Sequence, residues 1–182
     1  LGPRQASTVL IDGLRRLEYR GYDSTGIAVK DGAIQLYKKV GKIGDLETIL
    51  PTQITGNIGI AHTRWATHGI VNDSNAHPHQ SANGKVVIVH NGIIENTRQL
   101  RTSLTVQGVE LQSDTDSEAL AHVIERELSV DNDPENAVRR TLHLARGTWG
   151  LCVLFLDHDV IVCARNGSPL IIGQGEDEMF VS

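Results

Sequence analysis

The sequence predicts an α+β protein, a layered sandwich with helices lying outside sheets packed together. Apolar runs of strand length come in groups, and amphipathic helical segments separate those groups. The strict strand–helix alternation of a doubly wound parallel sheet is absent. With 182 residues and 40% hydrophobic side chains, the chain is long enough to bury a sizeable core in one domain.

The elements follow in order. Ala6, Val9, Leu10, Leu14 and Leu17 recur at helical spacing, so residues 5–18 read as an amphipathic helix, with Gly21 as its terminating glycine. Gly26–Val29, Ala33–Tyr37, Ile58–His62 and Val86–His90 read as strands. Ile43–Leu50 reads as a short helix stopped by Pro51, and Ile94–Val106 as a helix with Leu100 and Leu104 on one face. Thr115-Asp116-Ser117-Glu118 has the spacing of a capping box, backed by Ala119, Leu120, Val123, Ile124 and Leu128 on a buried face. Asp133-Pro134 opens another helix with proline at its first position. Strands return at Leu151–Leu156, Val160–Ala164 and Leu170–Ile172, and Met179–Val181 reads as a strand cut short. No internal repeat or low-complexity tract interrupts this order.

Composition excludes several functions. The net charge is −5 and no basic stripe is present to neutralise phosphates, so no nucleic-acid partner is expected. The longest apolar runs, Val86–Val89 and Gly150–Leu156, are far too short to span a bilayer, so no membrane association is expected. The opening residues do not read as a signal peptide. Cys152 and Cys163 sit in apolar strand-like runs and read as reduced core residues, which fits a cytoplasmic location.

The chemistry concentrates in Gly59–Gly69 (Gly-Ile-Ala-His-Thr-Arg-Trp-Ala-Thr-His-Gly) and in His90-Asn91-Gly92. Arg64 offers a planar fork of donors that can grip a carboxylate, or equally serve as an ion-paired surface arginine. Asn91 offers a neutral carboxamide donor beside the unshielded N–H of Gly92, the equipment of an oxyanion hole, although a glycine alone can simply mark a turn. Asp116, at a predicted helix start, is either a plain first-turn acid or the anion for an amino group. His62, His68, His77, His79 and His90 invite a metal reading, but no CxxC, HExxH or helical histidine pair accompanies them, so no metal is expected. Asn75 and His77 read as a polar loop bracing the site. Arg20–Ser24 reads as a helix cap and turn whose polar residues can also line a pocket.

Leu14–Ser24, His62–Gly69, Asn75–His79, His90–Asn96 and Ser113–Glu118 resemble the glutaminase domain of the glucosamine-6-phosphate synthase family, the isomerising glutamine–fructose-6-phosphate aminotransferases. The resemblance runs along the whole chain and includes Ala164–Gly173; related class II amidotransferases share looser motifs. It implies an N-terminal-nucleophile hydrolase fold, a four-layer αββα sandwich of two packed sheets, with residues 1–182 forming one glutaminase domain. It also implies glutamine hydrolysis to glutamate and ammonia through a thioester on an N-terminal cysteine, with no cofactor. By the same resemblance Asn91 and Gly92 form the oxyanion hole, Arg64, Thr67 and His68 hold the glutamine carboxylate end, and Asp116 holds its ammonium group. Trp65 and His77 complete the implied substrate-binding set.

The chain begins Leu1-Gly2-Pro3 rather than with the family's Cys-Gly-Ile-Val-Gly, so the nucleophile is expected upstream of Leu1. The domain is expected to be incomplete at both ends. The sugar-phosphate isomerase region that accepts the ammonia is absent from it, and would be its partner within one polypeptide. Fructose-6-phosphate would be met only through that region, and the full-length protein is expected to form homo-oligomers. A glutamine-binding module without catalysis is the alternative expectation.

Overall fold

The structure, a computed structural model, describes every residue except 66–69. It divides into two compact units, Leu1–Pro78 with Leu170–Ser182, and His79–Pro169.

The first unit is built on a three-stranded antiparallel sheet ordered β2-β1-β3. Its strands are β1 (Ser24–Asp31), β2 (Ala33–Val40) and β3 (Ile58–Arg64). Helix α1 (Ala6–Leu17) turns Ala6, Ile11 and Leu14 inward. Together with Ile43 and Leu46 of α2 (Ile43–Glu47), these residues bury Ile27 and Val29 of β1. A 3-10 turn over Glu18–Arg20 ends α1, and the Ile43 N–H donates to its Glu18 Oε1 at 3.0 Å, fixing the start of α2 against the end of α1. A short hairpin of β8 (Ile172–Gln174) and β9 (Met179–Val181) completes this unit.

The second unit carries a four-stranded antiparallel sheet ordered β4-β5-β6-β7. Its strands are β4 (His79–Gln80), β5 (Val86–Ile94), β6 (Gly147–Phe155) and β7 (Ile161–Asn166). Helices α3 (Thr97–Val106), α4 (Asp116–Asp131) and α5 (Pro134–Leu144) cover one face. Leu120 and Ile124 of α4 are fully buried against Val86, Ile88, Leu151, Val153 and Phe155. Burying a side chain of that size stabilises by roughly 1.5–3 kcal/mol. An Arg140 fork on Asp131, with a further bond to Glu127, ties α5 to the end of α4.

Local expectations and structure differ in four places. The segment read as helical from Ile94 is still strand there: Ile94 pairs with Gly147, and α3 starts only at Thr97. The strand expected at Leu170–Ile172 lies at Ile172–Gln174. Gly21 is not a left-handed cap but extended backbone; a side chain there would collide with the Arg64 carbonyl carbon, 2.9 Å away. The capping box is half formed. Thr115 Oγ1 accepts from the Glu118 N–H at 3.2 Å, but the Glu118 carboxylate turns away from the Thr115 backbone.

That carboxylate instead gathers the loop ahead of α4. It accepts from the Gln112 N–H at 2.6 Å, the Ser113 N–H at 2.8 Å and the Ser113 hydroxyl at 2.8 Å. Burial opposes its ionisation, but the adjacent His122 ring and these donors outweigh it and hold the pKa down to about 2. The His122 nitrogen lies 3.6 Å off, too far for a hydrogen bond, so the three short contacts matter most.

A carboxylate whose pKa is depressed on folding adds stability above its unfolded pKa and loses it as pH falls towards the folded one. The window here runs from 4.5 down to about 2. Glu118→Gln is expected to cost about 3 kcal/mol near neutral pH, with the deficit roughly halved near pH 3. Urea unfolding of both proteins at the two pH values checks this, and an unchanged deficit would contradict the assignment.

Candidate functional site

In the first unit, Arg64 ends β3, opposite Ser24 at the start of β1. The Asp23 N–H donates to the Arg64 carbonyl at 3.1 Å, so the turn after α1 and the end of β3 form one structure. Arg64 is buried, with 6% of its surface exposed, whereas Trp65 is largely exposed. The Trp65 ring meets Tyr22 edge-on with centroids 5.3 Å apart. The polar turn and the Arg-Trp pair, distant in sequence, are therefore neighbours. Thr67 and His68 lie outside the described residues.

Asn75 and His77 behave as braces. The Asn75 side chain donates to the Ile70 carbonyl at 2.9 Å, and its N–H donates to Asn72 Oδ1 at 2.7 Å. Lys38 reaches over from β2 to the carbonyls of Ser74 and Ala76, at 3.0 and 2.9 Å. His77 is buried and stacks on His62 of β3, with ring centroids 4.4 Å apart.

In the second unit, Asn91 and Gly92 lie within β5 rather than in a turn, opposite Gly150 and Trp149 of β6. Gly92 has φ +146°, and a side chain there would run into the Thr148 carbonyl, so glycine is required by both conformation and space. The Asn91 carbonyl accepts from the Ser168 hydroxyl at 3.1 Å. Its carboxamide is exposed and makes no hydrogen bond among the described residues. A neutral donor is thus held on a rigid strand and left open to a ligand.

Asp116 is the first residue of α4, where the positive end of the helix dipole favours a carboxylate. Its Oδ2 accepts from the Ile94 N–H at 2.8 Å. This bond draws the acid of the predicted site to the same strand end as Asn91 and Gly92. A quarter of the Asp116 side chain stays exposed, and its Oδ1 lies within hydrogen-bond reach of the Ser117 hydroxyl at 3.3 Å.

His90, which earned no role beyond an expected metal-free cluster, is the hinge of this arrangement. Its Nε2 faces the Thr148 carbonyl at 3.3 Å and its Nδ1 faces the Ser117 hydroxyl at 3.0 Å. A carbonyl only accepts, so Nε2 of the neutral ring carries the proton, while the Ser117 hydroxyl lies between His90 Nδ1 and Asp116 Oδ1, 3.3 Å from the latter. Burial lowers the His90 pKa, against the opposing influence of Asp116 and the Thr148 bond, and favours that neutral form. The ring links β6, β5 and the start of α4. His79, also buried, bonds Thr115 Oγ1 at 3.0 Å. The contacts of Ser117, Thr148 and Ser168 were not foreseen from the sequence, because a single hydroxyl does not advertise its partner. Among the described residues, no three His, Cys, Asp or Glu side chains converge to hold a metal.

These features were compared with known proteins. A family model described as a glutamine amidotransferase domain matches residues 62–182. The glutamine–fructose-6-phosphate aminotransferase (isomerising) of Pyrococcus horikoshii is 52% identical across all of this chain, which covers 31% of that protein. The enzymes of the same name from Chlorobaculum tepidum and Thermus thermophilus are 47% and 46% identical over the full chain, which spans 31% and 30% of their lengths. The chain thus spans about a third of the length of the curated relatives it matches. Among solved structures, the glutamine phosphoribosylpyrophosphate amidotransferase of B. subtilis, complexed with ADP and GMP, superposes with TM-score 0.85 at 27% identity. That match covers 99% of this chain and 40% of the other. A second structure, an allosteric regulatory enzyme of purine biosynthesis, gives TM-score 0.86 at 29% identity, again over 99% of this chain and 40% of the other. The fold is accordingly the α+β fold of N-terminal-nucleophile hydrolases, with antiparallel sheets. The chain belongs to the glutamine amidotransferase domain family, in the form found in glutamine–fructose-6-phosphate aminotransferases.

Proposed function

We propose that this domain hydrolyses the side-chain amide of glutamine, giving glutamate and ammonia, and that a sugar-phosphate isomerase region of the same polypeptide consumes the ammonia. The observation that best supports the reading is the 2.8 Å bond from the Ile94 N–H to Asp116, which ties that carboxylate to the strand carrying Asn91 and Gly92. The family match supports the substrate. The match to aminotransferases named for fructose-6-phosphate supports the fate of the ammonia and the conversion of that sugar to glucosamine-6-phosphate.

In this mechanism Arg64 grips the α-carboxylate of glutamine, assisted by Thr67 and His68, and Asp116 binds its α-ammonium group. Trp65 and His77 line and brace the substrate site. A cysteine thiolate attacks the amide carbon, and the developing oxyanion takes hydrogen bonds from Asn91 and from the Gly92 N–H. The nucleophile is an N-terminal cysteine upstream of Leu1, whose own α-amino group serves as base. An α-amine suits that task, since its pKa of about 8 lies nearer neutrality than the roughly 10.4 of lysine. Ammonia leaves, and water hydrolyses the thioester to glutamate. No step calls for a cofactor.

Peptide mass spectrometry of the full-length protein after treatment with an electrophilic glutamine analogue tests the reading directly. The expected result is a single adduct on a cysteine ahead of Leu1; labelling elsewhere, or none alongside glutamine binding, would replace catalysis with simple binding. Arg64→Ala is expected to raise KM for glutamine at least tenfold, with little change in thermal unfolding. An unchanged KM would remove Arg64 from the carboxylate role. Asn91→Ala is expected to lower kcat by about 100-fold or more while ground-state binding is kept, since the oxyanion exists only along the reaction path. Steady-state glutaminase kinetics separate the two, and a normal kcat would exclude Asn91 from the oxyanion hole.

A further inference from the structure

Cys152 and Cys163 take no part in the glutamine chemistry. They stand directly opposite each other in the antiparallel β6–β7 ladder. Leu151, Val153 and Phe155 of β6, with Val162 and Ala164 of β7, face the helices. Side chains alternate along a strand, so both cysteines share the other face of the sheet. It is also the face of Asn91, since Val89 pairs with Cys152 and Asn91 with Gly150. Both thiols are free and half-buried, and their sulfurs lie 3.4 Å apart in hydrogen-bonding contact.

Backbone geometry meets the demands of a disulfide at this position. Directly opposed residues of an antiparallel pair have Cα atoms about 4.5–5.5 Å apart, within the roughly 4.4–6.8 Å that a disulfide spans. Only side-chain rotation is needed to bring the sulfurs to a bonding distance of about 2.05 Å. The contact also favours the first chemical step, because an ionised sulfur here receives a hydrogen bond from the neighbouring thiol.

We propose that Cys152 and Cys163 form a reversible dithiol–disulfide site whose co-reactant is a low-molecular-weight disulfide of the oxidised glutathione type. One cysteine thiolate attacks a sulfur of the co-reactant, the co-reactant's S–S bond breaks, and one glutathione thiolate leaves. The second cysteine loses its proton and attacks the protein sulfur of the mixed disulfide, expelling the other thiolate. The two protein thiols give up two electrons and two protons, and the co-reactant becomes two thiols. The product joins β6 to β7 beside the strand that carries Asn91. This assignment does not depend on the glutamine reading.

The test is incubation of the full-length protein with oxidised glutathione, alkylation without reduction, and digestion with trypsin and an Asp-specific protease. Cleavage after Arg146 and Arg165 and before Asp157 and Asp159 places the two cysteines on separate fragments, 147–156 and 159–165. The expected product is these fragments joined, unalkylated, and released by dithiothreitol. Cys152→Ser and Cys163→Ser are each expected to retain one glutathione on the remaining cysteine. Registered thiols are also expected to close the disulfide about tenfold faster in the native protein than in urea, where the strands are unpaired. Stable glutathione adducts on the wild type, two alkylated fragments, or faster closure in urea would each overturn the proposal.

Discussion

The hydrogen bond from the Ile94 N–H to Asp116 is the constraint on which the candidate site rests. It joins the end of β5 to the start of α4, so that Asp116 and the strand carrying Asn91 and Gly92 are tied by a single contact. Around it, His90 bonds both the Thr148 carbonyl and Ser117, so β5 cannot shift against β6 or α4 without breaking a buried polar contact.

The same helix start depends on a second acid. Glu118 closes the loop from Gln112 to Thr115, and Thr115 in turn caps the helix and engages His79. Two carboxylates two residues apart thus divide the work. The buried one organises the loop, while the partly exposed one ties the helix start to Ile94 at the end of β5. Their environments, rather than their identity, assign the roles.

Much of the fold was legible in the chain. Helical spacing in residues 6–17, the Asp133-Pro134 start and the strand-length apolar runs all report the local burial of one face, and the structure repeats them. Misreadings fall where local pattern and tertiary pairing disagree. Ile94 begins an apolar period that suits a helix, yet its pairing with Gly147 keeps it in β5. Gly21 has the place of a helix-ending glycine, yet the close approach of β3 explains it. The half-formed capping box at Thr115 is a third case, since its Glu118 found better donors in the preceding loop.

The sequence by itself determined most element types and the family, through the motifs that carry Arg64, Asn91, Gly92 and Asp116. Those properties reside in residue chemistry and short spacings, which need no partner to be read. Tertiary structure alone decided that Asp116 meets the Asn91 strand, that His90 ties β5 to Thr148 of β6 and to the start of α4, and that two cysteines eleven residues apart touch through their sulfurs. Each of these follows from strand register or helix docking, which brings distant atoms within bonding range and leaves no trace in local sequence.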